Sequence, residues 1–400
     1  MKEFREELNI LKEKNLLRKF TCIDSSSGPK IAVNGKTCLN FSSNDYLNLS
    51  AHPEIVRAAI GALKKYGFGS GASRLMSGTY LPHVKLEERI ADFKKTQAAL
   101  VFNTGYAANT GIIPAVAGDD ALIFSDELNH ASIVDGIRLS KAGTKIYRHR
   151  DIDHLESLLR KSQGNKTIRR RLIITDTVFS MDGDIAPLGD IVSLCEKYDA
   201  LLMIDDAHGT GVLGEKGRGG LEHFGVRKRD RIIQMGTLSK ALGCFGAFVA
   251  GPKELINLVM SKARSFIYST ALPPAVCEAG ITAFDIVEFG SGQRRKRLWE
   301  NRRRLHEGLK GMGYETLHSE TPIIPVLIGD SKDALQFGKY LLREKIFVPA
   351  IRPPTVPEGT CRLRLSVTAA HSDDDIDMIL EKLLGPGEKL NNGKLTGRYL

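Results

Sequence analysis

The sequence predicts an α/β protein in which a large domain, built on a mostly parallel sheet covered on both faces, is followed by a smaller C-terminal α+β domain. Three observations carry this. From Ala98 to Lys262 short apolar runs alternate with amphipathic stretches, the order in which parallel strands and their crossover helices appear. The run Ala200–Ile204 is apolar without interruption, as expected of a strand buried on both faces. A chain of 400 residues, 42% hydrophobic and 26% charged, also suffices for a large core and a second domain.

The elements follow in order. Residues 1–19 read as an amphipathic helix with Phe4, Leu8 and Leu11 on one stripe. Lys30–Val33 and Thr37–Phe41 flank Asn34-Gly35, a two-residue hairpin signal. FSSNDYLNLS (41–50) is polar and turn-forming, and the next helix opens at Pro53 and closes at Gly67. The Gly- and Ser-rich segment 66–80 has the flexibility to wrap a ligand. Strands are expected near 99–103, 121–125, 144–148, 171–176, 200–205, 231–236 and 244–250. Helices are expected near 105–117, 130–141, 152–161, 187–198 and 252–263. Beyond Pro273 a long helical stretch runs to about Gly311. Strands near 323–328, 346–350 and 361–367 then alternate with helices near 332–343 and 373–384. The expected organisation is an N-terminal helix and hairpin segment (1–45), the large domain (46–285), the small domain (286–385) and a flexible polar tail (386–400).

Composition excludes several classes. No apolar run approaches the ~20 residues of a membrane span. The first twenty residues lack the apolar core of a secretion signal and carry too many glutamates for a transit peptide, so a cytoplasmic location is expected. The six cysteines are scattered without metal or redox spacing, and no metal site is expected. The formal charge of +10 concentrates in Lys166–Arg171 and Arg294–Arg304. Trp299 is the only aromatic in these runs and no nucleic-acid module is recognisable, so solvated helix faces are expected and no nucleic-acid or membrane partner.

Two phosphate fingerprints fail. Gly209–Gly214 fits GxGxxG after a strand, but EKGRGG follows in place of a helix, and Asp205 and Asp206 would repel a pyrophosphate. Gly35-Lys36-Thr37 has Lys30 where a P-loop needs its first glycine.

The chemistry converges elsewhere. Ligands of parallel sheets collect at the carboxyl ends of the strands, where Asp205 and His208 fall. The next strand delivers Thr237, Ser239 and Lys240 to the same edge. Lys240 is flanked by Leu238, Ala241, Leu242 and Gly243, and desolvation turns a lysine into a nucleophilic amine. A lone loop lysine is usually solvated and a lone Asp is often a helix cap. Together, a buried lysine, a nearby carboxylate and a histidine are what pyridoxal 5'-phosphate (PLP) requires: an amine for the Schiff base and an anion to keep the pyridine nitrogen protonated.

DDAHG followed by GTLSKALG resembles the PLP-dependent α-oxoamine synthases, and the likeness extends along most of the chain. It implies PLP-dependent transferase fold type I (aspartate-aminotransferase-like). It implies that Lys240 carries the cofactor, that Asp205 rather than Asp206 faces the pyridinium, and that His130 of SDELNHAS stacks on the ring. His208 and Ser180 match groups near the phenolic oxygen. Asn103–Tyr106 resembles the phosphate turn, with Gly105 and Tyr106 supplying amides and Thr237 a hydroxyl. YSTALPP resembles the segment that lends its threonine, here Thr270, to the neighbouring subunit's cofactor, which implies a homodimer with shared active sites. Asn44 matches a substrate-side residue at that interface, and Arg18 is carried over as a further substrate-binding residue. Asn48 stands where the family usually has glycine.

A substrate carboxylate calls for an arginine. Arg362 and Arg364 share one strand face by period two, so the pattern alone does not choose; the resemblance selects Arg362. The run IRPPTVPEGTCRLRLSVTAAH, with GRGGLEHFG, is most similar to the biotin-pathway branch. That implies decarboxylative condensation of L-alanine with a pimeloyl thioester of coenzyme A or acyl carrier protein, with Lys240 as the best-placed base. The alternative within the family is acetyl transfer to glycine.

Overall fold

The structure, a computed structural model, describes residues 1–387, 390–391 and 394–395, with side chains through 384; most of the tail expected at 386–400 lies outside the described residues. In chain order the elements are α1 (Lys2–Glu13), β1 (Lys30–Val33), β2 (Lys36–Asn40), α2 (Pro53–Tyr66), α3 (Leu81–Lys94), β3 (Ala98–Phe102), α4 (Gly105–Val116), β4 (Ala121–Asp126), α5 (Ala131–Ser140), β5 (Gly143–Tyr147), α6 (Ile152–Ser162), β6 (Arg170–Asp176), α7 (Leu188–Lys197), β7 (Leu201–Asp205), β8 (Ile232–Thr237) and β9 (Ala247–Gly251). Several helices follow, then β10 (Ile323–Gly329), β11 (Ile346–Phe347), β12 (Ala350–Ile351) and β13 (Cys361–Ser366).

The chain divides into two compact units, one of residues 49–179 and 185–293, the other of 1–48, 180–184 and 294–400. The first unit is built on a seven-stranded sheet in the order β3-β9-β8-β7-β6-β4-β5. Every pairing is parallel except those of β9, which runs antiparallel to both β3 and β8. Successive residues of the inner strands feed opposite cores. Met203, Leu172 and Ile174 pack with Ile112, Ile113 and Ile133, whereas Leu202, Ile204 and Ile173 pack with Leu155, Leu188 and Ile191. A strand with apolar side chains on both faces cannot show alternation, and this is why ALLMI is unbroken.

In the second unit β1 and β2 form the expected hairpin, with Asn34 (φ 49°) and Gly35 (φ 74°) both left-handed at its turn. β2 also pairs in parallel with β11, which ties the N-terminal segment to the C-terminal one. β10, β13 and β12 form a separate antiparallel sheet.

Three local expectations differ from the structure. The helical stretch after Pro273 is interrupted by a π-helical turn at Ile286–Gly290 before a helix at Gly292–Gly311. The strand expected over 346–350 is two short pieces, β11 and β12. The first helix stops at Glu13, and Phe4, Leu8 and Leu11 are all exposed on it. The arginines of the second basic run are largely engaged: Arg297 and Arg304 pair with Asp373, Arg304 also with Asp377, and Arg302 donates to the Ser319 carbonyl. No helix among the described residues is long and apolar enough to cross a membrane.

Candidate active site

The carboxyl edge of the large sheet gathers most of the residues singled out above. β7 ends at Asp205, which is 4% exposed. Its carboxylate accepts from two neutral donors, the Asn109 side-chain amide (2.8 Å) and the Ala207 backbone (3.0 Å). Asp206 turns the other way. It is fully buried, accepts from Lys94 Nζ at 2.7 Å and from the Gly220 backbone at 3.0 Å, and is bonded to the Thr210 hydroxyl. The two adjacent aspartates are thus separated by partner: one sits opposite a lysine and the other in a neutral hydrogen-bonded setting.

β8 delivers Thr237 to the same edge, and its hydroxyl bonds to the Gly246 carbonyl (2.8 Å) and to Ser239 Oγ (2.7 Å). The chain then turns tightly. Gly243 donates to the Lys240 carbonyl and Cys244 to that of Leu238, both at 2.8 Å. Gly243 is left-handed (φ 64°), and a Cβ there would fall 2.4 Å from the Ser50 nitrogen, so only glycine closes this turn. Lys240 is half-buried, with Leu238, Ala241 and Leu242 buried around it. GTLSKALG is therefore the strand end and turn that present the lysine.

α4 begins at Gly105, capped by Thr104, whose hydroxyl accepts from Ala107. The amides of Gly105 and Tyr106 have no intrahelical acceptor, as at any helix start, and form a donor pair suited to an anion. Tyr106 is half exposed and its hydroxyl bonds to Asp135. Thr270 is exposed, its carbonyl accepts from Asn103 Nδ2 at 2.9 Å, and its backbone bridges to Ser73.

His130 caps α5. Its backbone donates to Asp176 (2.7 Å), the β6 residue in register with Asp205. Its Nδ1 lies 2.7 Å from Ser132 Oγ and accepts from the Ser132 backbone at 3.2 Å. One side of the imidazole is open, but the packing around the rest pushes its pKa below the ordinary histidine value. Asp205 opposes that shift and Lys240 adds to it. Burial, reinforced by the Asp205 charge, lifts the Asp176 carboxyl well above the usual range. His208 is buried in the loop after Asp206.

The second unit holds the remaining candidates. Arg362 and Arg364 of β13 are both buried. Arg362 is ion-paired with Asp182 at 2.6 Å and also donates to the Met181 and Thr360 carbonyls. Among the described residues Arg364 has neutral hydrogen-bond partners: the Ser180 carbonyl, Ser366 Oγ (2.9 Å), Asn44 Oδ1 (3.1 Å) and the Tyr46 hydroxyl (3.4 Å). Arg18 is exposed and donates to the Pro353 carbonyl at 3.2 Å. Asn48 has φ 53°, the left-handed region that glycine adopts freely and asparagine tolerates, so the departure at this position keeps the backbone form.

Lys94, Asn109, Ser132 and Asp176 were not read from the sequence as site residues. For Asn109 the available signal was polarity within an otherwise apolar helix; Lys94 lies on a charged helix that gives no such signal. The donor set fits PLP: a pair of helix-start amides for its phosphate, a buried carboxylate with neutral partners, and a lysine in an apolar turn.

Comparison with known proteins agrees. Residues 36–383 match the family model for aminotransferase class I and II. A curated 8-amino-7-oxononanoate synthase of Geotalea daltonii is 50% identical over 392 residues, 98% of this chain and 99% of that protein. One from Thermoanaerobacter pseudethanolicus is 47% identical over 387 residues, 97% of each. Among solved structures, serine palmitoyltransferase from S. paucimobilis with PLP and myriocin bound superimposes with TM-score 0.90 at 31% identity, covering 96% of this chain and 97% of that one. An 8-amino-7-oxononanoate synthase from Francisella tularensis gives TM-score 0.75 at 29% identity, covering 87% and 97%.

Proposed function

Because the chain belongs to the aminotransferase class I and II family and, within it, to the PLP-dependent α-oxoamine synthases, we propose that it condenses L-alanine with a pimeloyl thioester, of coenzyme A or of acyl carrier protein, releasing CO2 and 8-amino-7-oxononanoate. It is a PLP-dependent acyltransferase of fold type I. The observation that carries the reading is the segregation of Asp205 from Asp206: the sheet edge that bears Lys240 also presents a buried carboxylate with neutral partners, and Lys94 is paired with its neighbour.

When bound, PLP supplies an electrophilic carbon for the amino group and an electron sink for the pair left at Cα. The chain supplies the rest. Gly105 and Tyr106 offer amides to the phosphate, and Thr237 adds a hydroxyl. Asp205 would keep a proton on the pyridine nitrogen through its negative charge. His130 would pack on the ring, and His208 and Ser180 would serve its phenolic oxygen. Lys240 Nζ would anchor the cofactor and is the base placed to take the Cα proton. Thr270 serves the partner subunit's cofactor in a homodimer, and the location is cytoplasmic. Asn44 and Arg18 bind substrate.

Arg362 holds the alanine carboxylate in this reading. Arg364 is its competitor, because Asp182 already neutralises Arg362 whereas Arg364, among the described residues, bonds to neutral groups. Replacing each with methionine separates them: KM for alanine rises at least tenfold in the variant that lost the carboxylate partner.

The deciding experiment measures kcat/KM for alanine and glycine, each with pimeloyl and acetyl thioesters. Alanine with pimeloyl thioester should be best. The alanine preference should be about 10–200-fold, the worth of one methyl in an apolar pocket. If glycine with acetyl-CoA is best, the reading is wrong and acetyl transfer to glycine replaces it.

A further inference from the structure

Asn109 lies on α4 with no exposed surface, between the two groups on which the proposed chemistry depends. Its side-chain nitrogen is 2.8 Å from Asp205 Oδ2 and 2.9 Å from Ser132 Oγ. An ionised carboxylate only accepts, so the atom facing it must be the NH2, and both of its hydrogens are then committed. Ser132 Oγ, having accepted one of them, directs its own hydrogen to His130 Nδ1, 2.7 Å away. The Ser132 backbone N–H donates to the same Nδ1. An Nδ1 that receives two donors carries a lone pair, and the proton of the neutral ring therefore sits on Nε2. The chain of bonds runs unbroken from the Asp205 carboxylate to the His130 ring.

The fold keeps this bridge short. α4 and α5 cross so closely at Gly136 that a Cβ there would lie 2.7 Å from the Asn109 carbonyl. Asn109 Oδ1 is buried without a hydrogen-bond partner. Such a cost is tolerated where the other end of the amide is needed.

We propose that Asn109 is a positioning residue, acting through Ser132, which fixes the Asp205 carboxylate and holds His130 neutral with its proton on Nε2; this rests on the functional reading above. The logic is directional. With one lone pair of Ser132 Oγ taken by Asn109 and the Ser132 amide already donating to Nδ1, the arrangement favours donation from the hydroxyl to Nδ1. Without Asn109 the hydroxyl is freer to rotate and to accept a hydrogen bond from a protonated Nδ1, so His130 protonates more readily. Asp205 Oδ2 at the same time loses its side-chain donor, and the anion that faces the pyridine nitrogen is less firmly placed.

The test uses 15N-histidine-labelled holoenzyme, with the His130 resonances identified by their loss in His130→Gln. In the wild type, His130 should show a protonated Nε2 and titrate below the ordinary midpoint of about 6.5. Asn109→Ala should raise that midpoint by about one unit and shift the pH midpoint of the cofactor's visible band. It should also lower kcat at least tenfold while KM for alanine changes less than threefold. Ser132→Ala should move the His130 midpoint in the same direction, which keeps the test open if Asn109→Ala fails to fold. Ile112→Ala, a core truncation on the same helix, should move neither midpoint. Unchanged midpoints in both Asn109→Ala and Ser132→Ala, or equal shifts in Ile112→Ala, overturn the proposal. The titration does not depend on substrate identity: a chain that loads cofactor but makes no product from alanine and pimeloyl thioester refutes the functional reading while still judging Asn109.

Discussion

Replacing Lys94 with methionine isolates the element that separates the two aspartates. Lys94 and Asp206 both have fully buried side chains, and Nζ lies 2.7 Å from Oδ2. Nζ also donates to Thr210 Oγ1 (3.1 Å) and to the Arg218 carbonyl (2.7 Å), so all three of its hydrogens have acceptors. At that separation the gross attraction is ~6 kcal/mol for an effective dielectric of about 20. Much of it is offset by the desolvation of two buried ions, and burial indeed pulls the lysine's pKa down while Asp206 pushes it back up. Removing one partner is a different matter, because the other is left as an uncompensated charge. Methionine keeps the volume, loses the charge and leaves Asp206 with only Thr210 and the Gly220 amide. The expected cost is about 3–5 kcal/mol. Adding Asp206→Asn removes the stranded charge, so the double variant should lose less than the sum of the singles, with a coupling of about 1.5 kcal/mol or more. Urea denaturation of the four proteins measures this. Strict additivity, or a loss below about 1 kcal/mol for Lys94→Met, would refute the account of Asp206 as an ion held by Lys94.

Further outcomes follow from the same structure. Gly219 has φ 97°, and a Cβ there would fall 1.7 Å from Asp206 Oδ2; Gly219→Ala should cost more than the ~1–3 kcal/mol of its backbone strain alone, read from urea midpoints. His371 is 1% exposed, stacks on Phe41 at 4.4 Å and accepts the Thr368 amide on Nδ1, and burial drives its pKa down to about 4. Its folded pKa lies below the unfolded one, so its contribution is fully present above pH ~6.5 and is lost as pH falls toward 4, up to about 3 kcal/mol. His371→Gln should flatten that part of the stability–pH curve, and parallel curves for the two proteins would count against it. Asp205→Asn should retain cofactor but lose about 10²–10³-fold in kcat; near-normal turnover in a loaded, folded variant would transfer the role elsewhere. Hybrid dimers of Lys240→Ala and Thr270→Ala subunits should recover activity, since both lesions fall in one of two shared sites; inactive hybrids would speak against cross-subunit donation.

How much of this was legible in the sequence depends on how far apart in the chain the determinants lie. The strands of the large sheet were readable within one to three residues because a strand buried on both faces must be apolar throughout, and ALLMI or AFVAG admits little else. The hairpin pair Asn34-Gly35 was readable because a left-handed backbone restricts the residue locally. The break at Ile286–Gly290 was not, since nothing in FDIVEFGSGQ forbids a continuous α-helix before Gly290, and the π-turn is set by what the helix packs on. The site divides the same way. Lys240, Asp205 and His130 each end a strand or open a helix, where motif and geometry coincide. Asn109 and Ser132 lie 96 and 73 positions from Asp205, and their meaning resides in one shared NH2 group. Pattern reasoning scores Asn109 as a polar flaw on an apolar helix. Folding turns that flaw into the link between carboxylate and imidazole: the α4–α5 crossing at Gly136 brings Ser132, and the end of β7 brings Asp205, within 2.9 Å of a single nitrogen. A buried polar side chain on an apolar element, one turn past a helix start that faces the site, is thus the sequence feature to test first for such links.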